Sequence, residues 1–97
     1  MAVAVELSFE GPGATLQNYF EAIQKMGATP EGPHPDPACL FHWVTEHGNG
    51  FRVTDVWQTR QDFERFAQAT IGPVSAQVGL PQPHPAPNFI EVANFLT

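Results

Sequence analysis

Three residues in the middle of the chain have side chains that together could do acid–base chemistry: His42, Asp55 and Trp57. A carboxylate beside an imidazole fixes its tautomer and raises its basicity, which makes histidine a general base near neutral pH. An indole supplies a flat wall for an aromatic compound and one N–H donor. The set predicts proton abstraction, with His42 as the base, Asp55 as its orienting partner and Trp57 as the wall. The alternative is structural, with Asp55 paired to a neighbour and His42 a satisfied core histidine.

A β-hairpin over residues 39–59 is the element that must bring these side chains together. Two runs rich in β-branched and aromatic residues flank Gly48-Asn49-Gly50, and Asn-Gly between such runs is a strong hairpin signal. A type I′ turn at Asn49-Gly50 predicts three cross-strand pairs: His42 with Trp57, Val44 with Asp55, and Glu46 with Val53. Because side chains alternate between faces, the three candidate residues then share one face. A three-residue loop would instead send His42 to the opposite face.

The first third of the chain predicts a strand followed by a helix. Residues 3–9 alternate apolar residues with small or polar ones, which is typical of a strand with one buried face. Thr15 is a suitable N-cap, and Gly27 is a suitable stop for a helix that ends at about Met26.

The last third predicts helical segments and a final strand. Thr59 begins a second helix, and Gly72-Pro73 interrupts that helix. Pro73 then opens a short helix over residues 74–78. Residues 89–96 carry apolar side chains at both parities, so we expect a last strand that is buried, or nearly so, on both faces.

The order of these elements, βαββαβ, indicates an α+β fold of the ferredoxin-like kind. Such a fold has a four-stranded antiparallel sheet with two helices on one face, here in a single domain over residues 1–97. Two helices cover only one face of the sheet, yet the strands carry large apolar residues at both parities. We therefore expect a homodimer in which a second copy covers the open sheet face, with Trp43 in the interface.

Further residues extend the candidate site around a small apolar or aromatic ligand. The candidates for substrate binding are Tyr19 and Phe20 on the first helix, Phe63 and Phe66 on the second, and Val44 in the hairpin. The simplest interpretation places the four aromatic rings in the core. The alternative lets one or two of them line the same pocket as His42.

Composition and charge exclude several classes of partner. Ten acidic residues against four basic ones give a net charge of -6, which argues against nucleic acid and anionic membranes as partners. No apolar run approaches the roughly 18 residues of a membrane helix, and the N-terminal sequence lacks the positive charge of a secretory signal. The single cysteine, Cys39, excludes an internal disulfide and fits a reducing compartment. We expect a cytoplasmic protein.

The histidines predict no metal site. His47 and His84 have no metal-ligand spacing with each other or with carboxylates. The four histidines together form no recognisable zinc set: they are His34, His42, His47 and His84. His34 is expected to be a solvated loop residue, because it lies in the proline-rich segment 28–38. Whether this segment and the second proline-rich segment, 81–87, act as lids is left open by composition alone.

The chain resembles the dimeric α/β-barrel superfamily and, within it, the antibiotic-biosynthesis-monooxygenase-like group. The most specific part is residues 53–66, VTDVWQTRQDFERF, where Trp57, Thr59 and Phe63 match a strand that ends in Trp-x-Ser/Thr before a helix with an early aromatic. The resemblance implies that Trp57 lines a pocket between sheet and helices. The oxygenases and haem-degrading members of the group also use an asparagine in or near that pocket. Here Val53, on the same face four residues before Trp57, is no such amide.

Several functions fit this resemblance and these residues. The first is a cofactor-independent enzyme, similar to the monooxygenases, that acts on a flat apolar or polyketide-like aromatic compound by proton abstraction. The second is a cyclase or isomerase that uses the same base. The third is a non-catalytic ligand-binding or structural dimer. Haem degradation is a further possibility, although no residue carries over as a haem ligand.

Overall fold

The computed structural model describes residues 1–96 and has a sheet with helices packed on one face. The strands are β1 Val3–Glu10, β2 Cys39–His47, β3 Gly50–Trp57 and β4 Asn88–Glu91. The helices are α1 Leu16–Lys25, α2 Arg60–Phe66 and α3 Gly72–Val78, with a π-helical turn, Ala67–Ile71, between α2 and α3. Over these residues the four strands run in the order β2-β3-β1-β4 with antiparallel neighbours. The predicted ferredoxin-like α+β fold is confirmed.

The core lies between the helices and one face of the sheet. In β1, Val3, Val5, Leu7 and Phe9 are buried, and the residues between them are more exposed, as the alternation predicts. The neighbouring strand β3 contributes Phe51, whose ring stacks on that of Phe9 with 4.9 Å between centroids. Within residues 1–96, no helix has the length and apolar character needed to cross a bilayer.

Side-chain caps fix where the helices begin. The hydroxyl oxygen of Thr15 accepts the N–H of Asn18 at 3.1 Å, and that of Thr59 accepts the N–H of Asp62 at 3.1 Å. Both residues therefore act as the N-caps that the sequence predicts.

The predicted break at Gly72-Pro73 is a change of helical type instead of an interruption. The N–H of Gly72 donates to the carbonyl of Ala67, five residues earlier, which is the hydrogen bond of a π-helical turn. Pro73 then lies in the first turn of α3. The helical segments thus continue from Arg60 to the left-handed Gly79, whose φ is 81°.

The predicted hairpin register is wrong, but the predicted face is right. The turn is Gly48-Asn49, because His47 pairs with Gly50; His42 therefore lies opposite Asp55, Val44 opposite Val53, and Glu46 opposite Phe51. Gly48 has a φ of 55° and no non-glycine residue from 1 to 96 has a positive φ, so a type I′ turn, which needs two positive values, is excluded. Moving the turn by one position shifts each pair by two residues, which preserves side-chain parity.

The last strand is shorter and more exposed than predicted. β4 ends at Glu91, because it pairs with β1, and β1 begins at Val3 opposite Glu91. Phe89 faces the core, whereas the side chain of Ile90 is 47% exposed on the other face. The prediction of a strand over residues 89–96 that is buried on both faces is therefore wrong.

The sheet face opposite the helices is apolar and uncovered in the single chain. Phe41 and Trp43 of β2 are 48% and 43% exposed, and their rings pack edge to face at 5.7 Å. Phe95 lies against Phe41, with 6.2 Å between ring centroids. We call Phe41, Trp43 and Ile90 the open-face patch.

Candidate functional site

A continuous chain of hydrogen bonds joins four side chains from α1, β2 and β3. The hydroxyl of Tyr19 lies 2.6 Å from Nε2 of His42. On the other side of the ring, Nδ1 of His42 lies 2.5 Å from Oδ1 of Asp55. The indole Nε1–H of Trp57 donates to Oδ2 of Asp55 at 3.1 Å. We call this set the relay.

The sheet register and its alternation build the relay. His42 and Asp55 are direct cross-strand partners, which holds the two side chains at hydrogen-bonding distance. Trp57 follows Asp55 by two residues and therefore projects from the same face. Tyr19 reaches His42 from the inward side of α1, where its ring also packs against Phe51 at 5.5 Å.

The partners around Asp55 assign the tautomer of His42. Asp55 is 2% exposed, and a buried carboxylate is stable only when it is paired. The indole N–H can only donate, so Oδ2 is an acceptor, and His42 satisfies Oδ1 by donating from Nδ1. In the neutral imidazole, this leaves the lone pair of Nε2 facing the hydroxyl of Tyr19.

A cavity of about 430 Å³ adjoins the relay, a volume typical of small-molecule pockets. Of the predicted site residues, Tyr19, His42, Asp55 and Phe66 line it. Most of the other walls are apolar and come from β1, α1 and the segment before β2: they include Leu7, Phe9, Ile23, Met26 and Pro33. The cavity therefore suits an apolar compound that presents one polar group to the relay.

The other predicted site residues do not line this cavity. Trp57 is fully buried, so it does not form the predicted pocket wall. Its indole N–H instead holds the carboxylate of Asp55 in place through a hydrogen bond. Phe63 packs against Trp57 at 5.8 Å in the core. Phe20 is exposed, and its ring packs edge to face with that of Tyr19. Val44 is half-buried and packs against the core.

His34 belongs to the site, contrary to the prediction that it is a solvated loop residue. Its ring lies 5.5 Å from His42, 5.4 Å from Trp57 and 5.1 Å from Phe66, measured between centroids. Burial lowers the pKa of His34, although the nearby negative charge of Asp55 opposes this effect. No sequence spacing could show this position, because it depends on how residues 28–38 fold over the sheet.

Cys39 lies beside His34 and Asp55 at the same end of the cavity. A ligand atom from each of these three side chains lies within 4.8 Å of the other two, so they could hold a metal ion. The thiol donates to the carbonyl of Phe41 at 3.3 Å, and burial, followed by the charge of Asp55, raises the pKa of Cys39 to about 12. Such a thiol stays protonated and is a poor nucleophile at neutral pH.

The hydroxyl of Tyr19 should resist ionisation. Burial, followed by the charge of Asp55, raises the pKa of Tyr19 from 10.0 to about 12. Tyr19 is the single tyrosine of the chain, so its tyrosinate absorbance can be read without interference. We expect a titration midpoint near 12 in the folded protein and near 10 in denaturant. A midpoint near 10 in the folded protein would contradict the burial of this hydroxyl, and Tyr19→Phe supplies the blank.

The same shift predicts how stability changes at alkaline pH. The folded-state pKa of Tyr19 lies above its unfolded value, so its contribution to stability is fully present below pH 10 and is lost as pH rises toward 12. The thiol of Cys39 acts in the same direction above its ordinary pKa of 9.0. We expect the free energy of unfolding to fall over this range, and to fall less steeply in Tyr19→Phe.

Comparison with known proteins gives similarity in structure only. No protein-family model matches the chain, and no curated protein sequence matches it significantly. A provisionally named antibiotic biosynthesis monooxygenase from Chloroflexus aurantiacus J-10-fl superposes with a TM-score of 0.59 at 14% identity, over 99% of this chain and 95% of that one. One from Deinococcus radiodurans gives 0.58 at 12% identity, over 100% and 97%.

A third similar structure is a variant of SnoaB, a cofactor-independent oxygenase from Streptomyces nogalater. It superposes with a TM-score of 0.57 at 14% identity, over 98% of this chain and 94% of SnoaB. These matches span nearly whole chains on both sides. They confirm the predicted resemblance at the level of the fold, which is that of the antibiotic biosynthesis monooxygenase-like proteins.

Proposed function

We propose that this chain, with the fold of the antibiotic biosynthesis monooxygenase-like proteins, is an enzyme that removes a proton from a flat, apolar, aromatic compound. The observation that carries the proposal is the relay of Tyr19, His42, Asp55 and Trp57 at the edge of an apolar cavity. A histidine that is held by a buried carboxylate and is linked to such a cavity by a tyrosine hydroxyl is arranged as a general base.

The relay passes the proton through Tyr19 to His42. The substrate proton moves to the oxygen of Tyr19 while the hydroxyl proton of Tyr19 moves to Nε2 of His42. The two transfers occur together, because the raised pKa of Tyr19 disfavours a free tyrosinate. Asp55 then stabilises the imidazolium through Nδ1–H, and Trp57 keeps the carboxylate in place.

The carbanion left on the substrate decides the overall reaction. When it is electron-rich, it can reduce molecular oxygen directly, which requires no cofactor. For anthrone, a flat tricyclic compound with an acidic CH2, the balance is one anthrone and one O2 to one anthraquinone and one water. The fold shared with SnoaB supports this outcome. A substrate that rearranges instead would make the same relay serve a cyclase or isomerase.

Hydrogen exchange in anthrone tests the proposal in two steps. Without oxygen, the protein in D2O should speed exchange of the CH2 hydrogens over the buffer rate, as followed by NMR. With oxygen, formation of anthraquinone and uptake of O2 identify the monooxygenase-like reaction, and exchange without quinone identifies the isomerase class. Binding of anthrone without faster exchange would contradict catalysis and favour the non-catalytic binding protein.

We also propose that two copies pack through the open-face patch to form a homodimer. Phe41, Trp43 and Ile90 are large apolar residues on one sheet face, and such a patch rarely stays uncovered. The three residues of the patch are uncharged, although the chain carries a net charge of -6.

Trp43→Glu should convert the dimer to a monomer. A carboxylate in the patch would be desolvated without a partner in the interface, which costs far more than the lost indole contact. Sedimentation equilibrium of the wild type and the variant measures the mass. A wild-type chain that sediments as a monomer at high concentration would contradict the proposed dimer. Glu46→Gln is the control, because Glu46 is exposed and projects from the face of β2 opposite to Trp43.

A further inference from the structure

Three potential metal ligands meet at the end of the cavity, and the proposed proton transfer uses only one of them. A ring nitrogen of His34, Sγ of Cys39 and a carboxylate oxygen of Asp55 all lie within 4.8 Å of one another. All three residues line the cavity. We propose that His34, Cys39 and Asp55 bind one divalent cation of the zinc class, with the fourth ligand position open to the cavity.

The donor set selects the class of ion. Nitrogen, sulfur and carboxylate oxygen are the ligands of zinc and of cobalt used in its place, whereas calcium and magnesium require oxygen ligands. On binding, the thiol of Cys39 releases its proton to solvent as the sulfur–metal bond forms. The thiolate and the carboxylate of Asp55 then balance the charge of the ion. Three protein ligands with one open position are typical of catalytic zinc sites.

Asp55 and His34 each have hydrogen-bond partners, and in metal sites such partners orient the ligands. Asp55 accepts hydrogen bonds from His42 at 2.5 Å and from Trp57 at 3.1 Å, which orients its oxygens. Nδ1 of His34 accepts the backbone N–H of Asp36 at 3.0 Å and lies 3.2 Å from the carbonyl oxygen of the same residue. Binding of the ion through Nε2 requires the other tautomer, in which Nδ1–H donates to that carbonyl oxygen in place of accepting the N–H.

The site closes with a small movement of His34. Ligand atoms around a tetrahedral zinc lie about 3.3–3.6 Å apart, so these atoms must approach by roughly 1 Å. Cys39 and Asp55 lie on paired strands, whereas His34 lies in a segment without helix or strand. Rotation of the His34 side chain supplies the approach. The site shares Asp55 with the relay, but it does not depend on the proposed reaction.

Cobalt titration of untagged, metal-free protein tests the site. Wild-type protein should bind one equivalent of Co²⁺ with a near-ultraviolet thiolate charge-transfer band and tetrahedral visible bands, and Zn²⁺ should displace them. Cys39→Ser should abolish the charge-transfer band. His34→Gln should lower Zn²⁺ affinity by more than the roughly 100-fold that loss of an outer-shell partner can cost. His84→Gln, in the second proline-rich segment, is the matched control and should change nothing.

Three results would overturn the site. They are a wild-type titration without the charge-transfer band, binding that survives Cys39→Ser unchanged, and an equal loss of affinity in His34→Gln and His84→Gln. Circular dichroism checks that each variant folds. His34 is only half-buried, so His34→Gln decides the test if Cys39→Ser fails to fold. The titration contains no substrate, so its failure is separate from failure of the anthrone test.

Discussion

His42→Ala should slow deuterium exchange of anthrone by about 10²–10⁴-fold, the range that a positioned general base contributes. The imidazole connects the hydroxyl of Tyr19 to the carboxylate of Asp55, and alanine leaves the proton no acceptor between them. The variant should remain folded, because the side chain of His42 is 25% exposed and its loss removes one hydrogen-bond partner of Asp55. That loss costs about 1–3 kcal/mol.

Chemical rescue separates a base from a structural histidine. Imidazole in solution can enter the space that His42→Ala opens beside the cavity, and it should restore part of the exchange rate. His47→Ala is the matched control on the same strand, since His47 contacts Arg52 at 3.1 Å on the far face. Unchanged exchange in His42→Ala, or an equal loss in His47→Ala, would contradict the role of His42.

The shared face of His42, Asp55 and Trp57 could be predicted because it depends on parity alone. The turn lies one position earlier than predicted, yet the shift of each pair by two residues leaves every side chain on its face. The partner of His42 could not be predicted, since Asn49-Gly50 and Gly48-Asn49 both offer suitable turn residues. The pairing of His47 with Gly50 and the positive φ of Gly48 decide between the two turns.

Contacts between distant segments limit what the sequence can show about the site. The interpretation of Tyr19 as a core residue predicted that its ring faces inward. The rotation of α1 decides whether its hydroxyl reaches His42. His34 depends on a segment that has no periodic pattern. The C-terminal end of β4 could not be predicted either. β4 ends at Glu91 because its partner strand β1 begins at Val3, and the apolar residues after Glu91 give no sign of where β1 begins.

Trp57→Ala should lower the free energy of unfolding by about 3–5 kcal/mol, the range for removal of a buried large aromatic side chain. The indole is fully buried against Phe63 and Phe66, so alanine leaves a cavity between sheet and helices. It also removes a hydrogen bond to the buried carboxylate of Asp55. Urea denaturation measures the change, and a thermal midpoint should fall by roughly 4–8 °C per kcal/mol in a domain of this size.

Trp57→Phe separates packing from the hydrogen bond. Phenylalanine keeps most of the buried ring but cannot donate to Oδ2 of Asp55, so the expected loss is about 1–3 kcal/mol. Phe20→Ala is the control, since this ring is 45% exposed and its removal should cost about 0.5 kcal/mol or less. If Trp57→Phe is as stable as the wild type and exchanges anthrone equally fast, then the indole N–H neither satisfies nor orients Asp55. The relay would then end at the carboxylate, and Trp57 would matter only through its packing.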